Sequence, residues 1–304
     1  MKYRVTAIVP TYNAGSNFSK FMEVLCNQVS QLNILVVDSS SDDETLSIAH
    51  QYGVKIIGIC RKTFSHGGTR QMAVDSLKEV DIVVFLTQDA ILANSDSFNK
   101  ILGHFTDNEV AAVCGRQLPR VQASVIESHA RIYNYSPKSF TREISDANKF
   151  GLKTAFISNS FAAYRVSALK EVGGFPEDVI FGEDMYVAAK MLNAGYKIAY
   201  AADACVYHSH DYSLWQEMCR YFDMGVFHAR EPWIRRDLGG AEGEGLKFVV
   251  SELKYLLKHA FWRIPESLLR TLFRYTGFRL GLIEKKLPPY LKKRFAMNKG
   301  YFEK

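Results

Sequence analysis

The stretch Val83-Val84-Phe85-Leu86-Thr87-Gln88-Asp89-Ala90 decides the fold. Four consecutive apolar residues, two of them valines and one aromatic, read as a strand buried on both faces. The amide and carboxylate that follow then fall at the strand's carboxyl end. Open α/β sheets place their ligands at that edge. Taken alone, Asp89 reads first as a cap for the next helix. The company it keeps elsewhere in the chain favours a ligand-facing reading.

Upstream the same design repeats. Arg4-Val5-Thr6-Ala7-Ile8-Val9-Pro10-Thr11-Tyr12-Asn13 is a short β-type run, and Asn13-Ala14-Gly15-Ser16-Asn17 is a turn that opens an amphipathic helix to about Gln28. Ile34-Leu35-Val36-Val37-Asp38 also ends in a carboxylate, and the acids of Ser39-Ser40-Ser41-Asp42-Asp43-Glu44 suit a first helical turn; that helix stops at Gly53. A third strand over 55–59 and a helix over 69–78 complete the series. Strands alternating with helices predict βαβ units and a parallel sheet. Right-handed crossovers bring the strand ends to one edge, so Thr11, Asp38, Gln88 and Asp89 should converge there.

The loop Phe64-Ser65-His66-Gly67-Gly68-Thr69-Arg70-Gln71 carries two glycines before a predicted helix. Glycines let a ligand approach the backbone and a helix start offers free N–H groups to an anion, which suits a diphosphate with Arg70 adding charge. A plain turn is the other reading. The spacing is neither Gly-x-Gly-x-x-Gly nor a P-loop, which disfavours a dehydrogenase or an NTPase.

After Ala111-Ala112-Val113-Cys114-Gly115-Arg116-Gln117-Leu118-Pro119, read as a strand, the alternation stops. Residues 122–152 are helical at first and then polar, with Ser136-Pro137 as a breaker, and read as a mobile loop over a site. Order returns at Phe156-Ile157-Ser158-Asn159-Ser160-Phe161-Ala162-Ala163-Tyr164-Arg165 and at the turn Gly173-Gly174-Phe175-Pro176. Glu183-Asp184 then open a helix closed by Gly195. Such a pair either complements the helix dipole or supplies a general base, since a helix start holds a carboxylate rigidly beside an alcohol. In Val206-Tyr207-His208-Ser209-His210 the histidines share one face of an extended chain, which fits a metal pair or ordinary hydrogen-bonded imidazoles. Gln216 and Arg220 lie one turn apart on the next predicted helix. Gly239-Gly240-Ala241-Glu242-Gly243-Glu244-Gly245 reads as a hinge.

The bulk properties are those of an ordinary globular chain of 304 residues, 47% hydrophobic and 23% charged. No apolar run approaches the roughly 18–20 residues that span a bilayer, and none has a signal peptide's form, so a cytoplasmic location is expected. Five scattered cysteines with no Cys-x-x-Cys spacing argue against a disulfide framework and a zinc site, and read as mostly buried thiols. The net charge of +6 is uneven: residues 251–304 hold thirteen Lys and Arg against four Glu, which leaves the first 250 residues at −3.

Together these pieces resemble the inverting nucleotide-sugar transferases of glycosyltransferase family 2, over roughly residues 4–225. The residues that carry the resemblance are Val9-Pro10-Thr11-Tyr12-Asn13, Val36-Val37-Asp38-Ser39-Ser40-Ser41-Asp42, Phe85-Leu86-Thr87-Gln88-Asp89-Ala90, Gly173-Gly174-Phe175, Gly182-Glu183-Asp184 and Val206-Tyr207-His208. Within the family, Phe64 to Arg70, Leu86 to Ala90 and Tyr207 to Gly225 look like bacterial rhamnosyltransferases of O-antigen or related polysaccharide assembly.

The resemblance implies a GT-A fold, an α/β architecture with a mostly parallel sheet. It implies a domain over 1–238, divided into a nucleotide-sugar half (1–118) and an acceptor half (119–238), followed by a basic amphipathic helical region over 239–304. Thr11 and Asp38 would hold the base and ribose, with Gln88 on the same nucleotide edge. Asp89 would ligate Mg²⁺ or Mn²⁺. His208 would be a further ligand or a phosphate contact, Asp184 the base that deprotonates the acceptor hydroxyl, and Arg220 the neutraliser of the leaving diphosphate. The donor implied is dTDP-L-rhamnose and the acceptor a lipid-linked glycan.

Two departures from the family pattern stand out. Many members have Asp-x-Asp where this chain has Thr87-Gln88-Asp89, and the Gln-x-x-Arg-Trp of processive synthases is absent, which suits transfer of a single sugar. A UDP-hexose donor on the same fold, or a silent sugar-nucleotide or glycan-binding module, are the competing readings; retention of both Asp89 and Asp184 speaks against the module. The tail, with Leu268-Leu269-Arg270-Thr271-Leu272-Phe273-Arg274-Tyr275 and Leu291-Lys292-Lys293-Arg294-Phe295, is either a helical face packed on the domain or a surface for anionic lipid at the inner membrane. Nucleic acid is not expected, because the rest of the chain is mildly acidic and carries no nucleic-acid motif.

Overall fold

Three strand–helix units and a fourth strand build the first part of the chain, in a computed structural model that describes residues 3–28, 32–240 and 243–303. β1 (Val5–Thr11) leads to α1 (Asn17–Cys26), β2 (Asn33–Asp38) to α2 (Thr45–Gln51) and β3 (Lys55–Gly58) to α3 (His66–Asp75), and β4 (Ile82–Leu86) follows. These strands lie in the order β3-β2-β1-β4 and are parallel throughout, as the alternation requires. Thr11 pairs with Asp38 in the register of β1 and β2, so both reach the same edge. In β4, Val83 and Phe85 enter the core on one face of the sheet while Ile82, Val84 and Leu86 enter the core on the other, and all five are fully buried. The uninterrupted apolar run is the consequence of having both faces covered.

Helix α3 begins at His66, earlier than predicted, because Ser65 caps it by accepting the Gly68 N–H at 3.1 Å. Gly67 and Gly68 therefore sit inside the first turn. A Cβ on Gly67 would lie 1.8 Å from the Pro176 carbonyl oxygen, so this glycine serves close packing against the Gly173-Gly174-Phe175-Pro176 turn.

Next come β5 (Ile91–Leu92), α4 (Ser97–Gly103), β6 (Val110–Leu118), α5 (Val125–Asn134), β7 (Phe140–Arg142), α6 (Ala147–Phe150), β8 (Phe161–Arg165), α7 (Val166–Glu171), α8 (Glu183–Asn193) and β9 (Lys197–Tyr207). Here the parallel pattern gives way. β8 inserts between β4 and β6, antiparallel to both, while β9 runs parallel to β6 and takes β5 and β7 antiparallel, giving a mixed nine-stranded sheet. Of residues 122–152, the initial part read as helical is α5, whereas the polar part expected as a mobile loop forms β7 and α6. Ser124 caps α5 and Phe140 pairs with Tyr200 across β7 and β9.

The chain ends in α9 (Leu214–Arg230), α10 (Pro232–Leu238), α11 (Glu244–His259), α12 (Ile264–Leu282) and α13 (Pro289–Phe295). Of the hinge read at 239–245, Ala241 and Glu242 lie outside the described residues, as does Lys304 of the tail. α12 packs along α9 through glycines. A Cβ on Gly277 would come within 2.2 Å of the Met218 carbonyl oxygen, and one on Gly281 within 2.2 Å of that of Phe222. In α13, Phe295 turns inward against Phe222 and Trp215, and Lys292 pairs with the buried Glu284. That segment of the tail is therefore packed on the domain. The five cysteines are free, and Cys114, Cys205 and Cys219 are buried. Among the described residues, no helix is long and apolar enough to cross a membrane.

Candidate active site

The ends of three strands, β4, β6 and β9, meet at one edge of the sheet. Asp89 follows that strand through a turn in which the Ala90 N–H donates to the Thr87 carbonyl. His208 and His210 leave the end of β9, and their ligand atoms and the Asp89 carboxylate all lie within 4.8 Å of one another. The His208 Nε2 is 3.5 Å from Asp89 Oδ1, and the His210 Nδ1 is 3.8 Å from Asp89 Oδ2. The shared face expected of these two histidines is thus realised.

Gln117, from β6, orients His208. Its amide nitrogen donates to Ser158 Oγ at 3.0 Å, so its oxygen faces His208 Nδ1 at 2.9 Å, which leaves Nε2 turned towards Asp89. Burial, followed by the neighbouring His208, pulls His210 down to about 4, so its imidazole is neutral at pH 7 with a lone pair to offer. Burial alone would raise the Asp89 carboxyl, but His208 and His210 hold it well below the ordinary range. An ionised carboxylate and two imidazoles with free nitrogens form a donor set that fits a divalent cation, Mn²⁺ more readily than the oxygen-seeking Mg²⁺. Arg120 adds a contact with no sequence signal: its Nη2 donates to the Asp89 carbonyl at 2.6 Å and to Oδ2 at 3.1 Å.

At the ends of β1 and β2, Thr11 Oγ1 donates to Asp38 Oδ1 at 2.9 Å. Ser41 donates to Asp38 twice, from its hydroxyl to Oδ1 at 2.6 Å and from its N–H to Oδ2 at 2.9 Å. Asn13 and Ser40 take left-handed backbone with φ of 43° and 62°, two non-glycine residues held in strained turns at adjacent strand ends. Gln88, expected on the nucleotide edge, has both polar atoms engaged by Tyr12: its oxygen accepts the Tyr12 N–H at 2.8 Å and its nitrogen donates to the Tyr12 carbonyl at 3.0 Å. It ties β4 to β1. Exposed Arg61 stacks 4.0 Å over the Tyr12 ring, beside the same edge.

At the start of α8 two adjacent acids meet opposite fates. Glu183 is buried and pairs with Arg70 at 3.1 Å, while Asn159 donates to it at 2.9 Å. Burial would raise Glu183, but Arg70 and then His66 keep it below the ordinary carboxylate range. Arg70 pairs with Glu183 and donates to the His66 carbonyl at 2.9 Å, so its charge serves Glu183 and not the diphosphate expected from the sequence. Asp184 accepts the Met185 N–H at 2.8 Å and the Asn159 N–H at 3.3 Å, and burial together with the Glu183 charge raises its pKa. Of the two, Asp184 has the electrostatics of a base that can take up a proton. Arg220, on α9, lies 5.0 Å over the Phe181 ring and 5.8 Å from that of Tyr212, and has no carboxylate partner among the described residues.

Residues 6–173 match glycosyl transferase family 2. Two curated relatives extend the similarity over almost the whole chain. The O-antigen chain rhamnosyltransferase RfbN of Salmonella typhimurium is 48% identical over 98% of this chain and 96% of its own. The O-antigen chain rhamnosyltransferase WbaN of Salmonella anatum is 49% identical over 98% and 95%. The chain belongs to glycosyltransferase family 2.

Solved structures agree on the fold of this family 2 enzyme. The mannosyltransferase PcManGT from Pyrobaculum calidifontis, in complex with GDP-Man and Mn²⁺, matches with a TM-score of 0.59 at 20% identity, over 99% of this chain and 85% of that one. TarS 1–349 of S. aureus, in complex with UDP-GlcNAc, matches with a TM-score of 0.57 at 15% identity, over 99% and 90%. The mixed sheet and its flanking helices are the GT-A fold. The structure brings Asp89 to His208 and Thr11 to Asp38, and places Asp184 and Arg220 on the neighbouring α8 and α9. It turns Arg70 and Gln88 to internal partners, brings both members of the expected histidine pair to Asp89, and adds Arg120, Ser41 and the Arg61–Tyr12 pair.

Proposed function

We propose that this enzyme transfers a single L-rhamnose from dTDP-L-rhamnose to a lipid-linked polysaccharide acceptor, with inversion at the anomeric carbon. The observation that carries the reading is the 48% and 49% identity, across essentially full lengths, to two O-antigen chain rhamnosyltransferases. We place the reaction at the cytoplasmic face of the inner membrane, with the enzyme peripheral on its anionic surface.

Asp38 has one carboxylate oxygen with a single internal donor, the Ser41 N–H, and so keeps capacity to accept the N3–H of a pyrimidine. Thr11 and Ser41 fix that carboxylate in place. Asp89, His208 and His210 would hold a divalent cation. When bound, it offsets the charge of the diphosphate oxygens. Arg220, which has no carboxylate ion-pair partner among the described residues and is backed by two aromatic rings, would neutralise the leaving diphosphate. Asp184 takes the proton of the acceptor hydroxyl as that oxygen bonds to the anomeric carbon and the bond to the diphosphate breaks on the opposite face.

Thymine and uracil present the same N3–H, so the donor is tested directly. Nucleotide release should be faster with dTDP-L-rhamnose than with UDP-glucose or UDP-galactose, should need acceptor, and should fall on chelation and return with Mn²⁺. A clear UDP preference would overturn the donor assignment, and turnover unmoved by chelation would remove the cation.

A further inference from the structure

The outer surface of α11 and α12 is apolar where a soluble domain would be polar. Of the sixteen large hydrophobic side chains exposed among the described residues, ten lie between Leu246 and Ile283. Leu246, Val250 and Leu257 recur on one stripe of α11, exposed by 69%, 43% and 65%. Phe261 and Trp262, in the turn that joins the helices, are 65% and 66% exposed. Leu268, Leu272 and Tyr275 continue the surface along α12. The opposite faces are packed: Leu256, Glu252 and Ser267 are fully buried, and Gly277 and Gly281 seat α12 on α9. Monomeric proteins rarely expose so contiguous an apolar surface without something to cover it.

The charges around this surface are sorted by sign. Glu252 and Glu284 are fully buried, buried Glu217 holds Arg270 and Arg274, and the part-exposed Glu244 and Glu266 are each paired with cations. Lys254, Lys258, Lys285 and Lys286 are exposed and have no acidic partner among the described residues. A second copy of this chain would bring cation against cation. An anionic bilayer supplies both complements, an apolar interior for the leucines and aromatics and phosphate headgroups for the lysines.

We propose that α11, the Phe261–Trp262 turn and α12 form a face that lies on an anionic lipid bilayer. This deepens the reading of a lipid-linked acceptor and rests on it for its purpose, although its test does not. The face is tied to the active site: Arg270 of α12 donates to the Tyr212 carbonyl at 2.7 Å, and the Tyr212 ring stacks on His210 with centroids 5.1 Å apart. Docking this face therefore orients the loop that carries His210 with respect to the surface on which a lipid-linked acceptor sits.

The test is sedimentation of the full chain with vesicles of phosphatidylcholine alone or with about one-third phosphatidylglycerol, beside turnover on a lipid-free acceptor glycan. The wild type should bind the anionic vesicles, release as salt rises, and bind neutral vesicles poorly. The double variant Phe261→Ser, Trp262→Ser should lose binding by about tenfold or more while its lipid-free turnover stays at the wild-type level. Lys254→Glu with Lys258→Glu should lose the preference for anionic vesicles. Wild-type protein that ignores anionic vesicles, a double variant that binds them unchanged, or a wild-type dimer that the double variant abolishes would each overturn the proposal. Absence of turnover by the wild type on any acceptor would count against the proposed function alone, because vesicle binding decides this inference by itself.

Discussion

Asp184 and Glu183 are chemically near-equal neighbours, and what separates them is the partner each finds. Glu183 meets a buried guanidinium and stays ionised, while Asp184 meets backbone N–H groups and the charge of Glu183 itself. If Asp184 is the base, Asp184→Asn should cut kcat by about 10²–10⁴ with donor binding retained. The pH dependence follows from the sign of its shift. Asp184 must be ionised to act and its pKa is raised, so kcat should fall with decreasing pH well before an ordinary carboxylate would protonate. The same shift makes its ionisation a cost to the fold, absent below the unfolded pKa and incurred as pH rises through the folded one. Asp184→Asn should therefore unfold at a higher temperature than the wild type at pH 8, with the gap narrowing as pH falls.

Glu183→Gln acts in two ways. It removes the like charge, moving the acid limb of kcat to lower pH, and it leaves Arg70 buried and unpaired, at a cost of about 3–5 kcal/mol in urea unfolding. An unmoved acid limb would show that Asp184 is not the titrating group. At this scale the sequence shows the residues that terminate apolar runs, since a carboxylate, hydroxyl or imidazole at the end of a strand's apolar run is a local signal; Thr11, Asp38, Asp89 and His208 are found that way. Arg70 misleads because its glycines imitate an anion-binding helix start while its true partner comes from a distant helix. Arg120 gives no signal at all, since only the path of the chain after β6 brings it to Asp89.

Among the elements, β1 to β4 are legible because alternating strands and helices carry their own order. The position of β8 is not. Its residues say strand, but nothing local in Phe161-Ala162-Ala163-Tyr164-Arg165 says that it runs antiparallel between β4 and β6. The α9–α12 contact is similarly hidden, because Gly277 and Gly281 read as weak helix residues until α9 is seen against them. Gly281→Val should make this visible: with its Cβ forced towards the Phe222 carbonyl, the helices must separate, and urea unfolding should show a loss of about 1–3 kcal/mol or more. Because α9 carries Arg220, turnover should fall with it. A variant with wild-type stability would mean that the two helices do not pack as closely as the glycines allow.

On the scale of the whole molecule, one sheet edge gathers a carboxylate cradle from β1 and β2 and an Asp–His–His cluster from β4 and β9, with the Glu183–Asp184 pair alongside on α8. The terminal helices brace α9 and present an apolar, cation-rimmed face outward. Displacement in a single step, with Asp184 activating the acceptor on the face opposite the departing diphosphate, requires inversion at the anomeric carbon. The most direct measurement is the anomeric configuration of the transferred sugar, read by NMR on product formed from dTDP-L-rhamnose and a defined acceptor. The expected result is a linkage of configuration opposite to the donor's, formed by the wild type and not by Asp184→Asn. A product that retains the donor's configuration, or inverted product formed at full rate by Asp184→Asn, would contradict it.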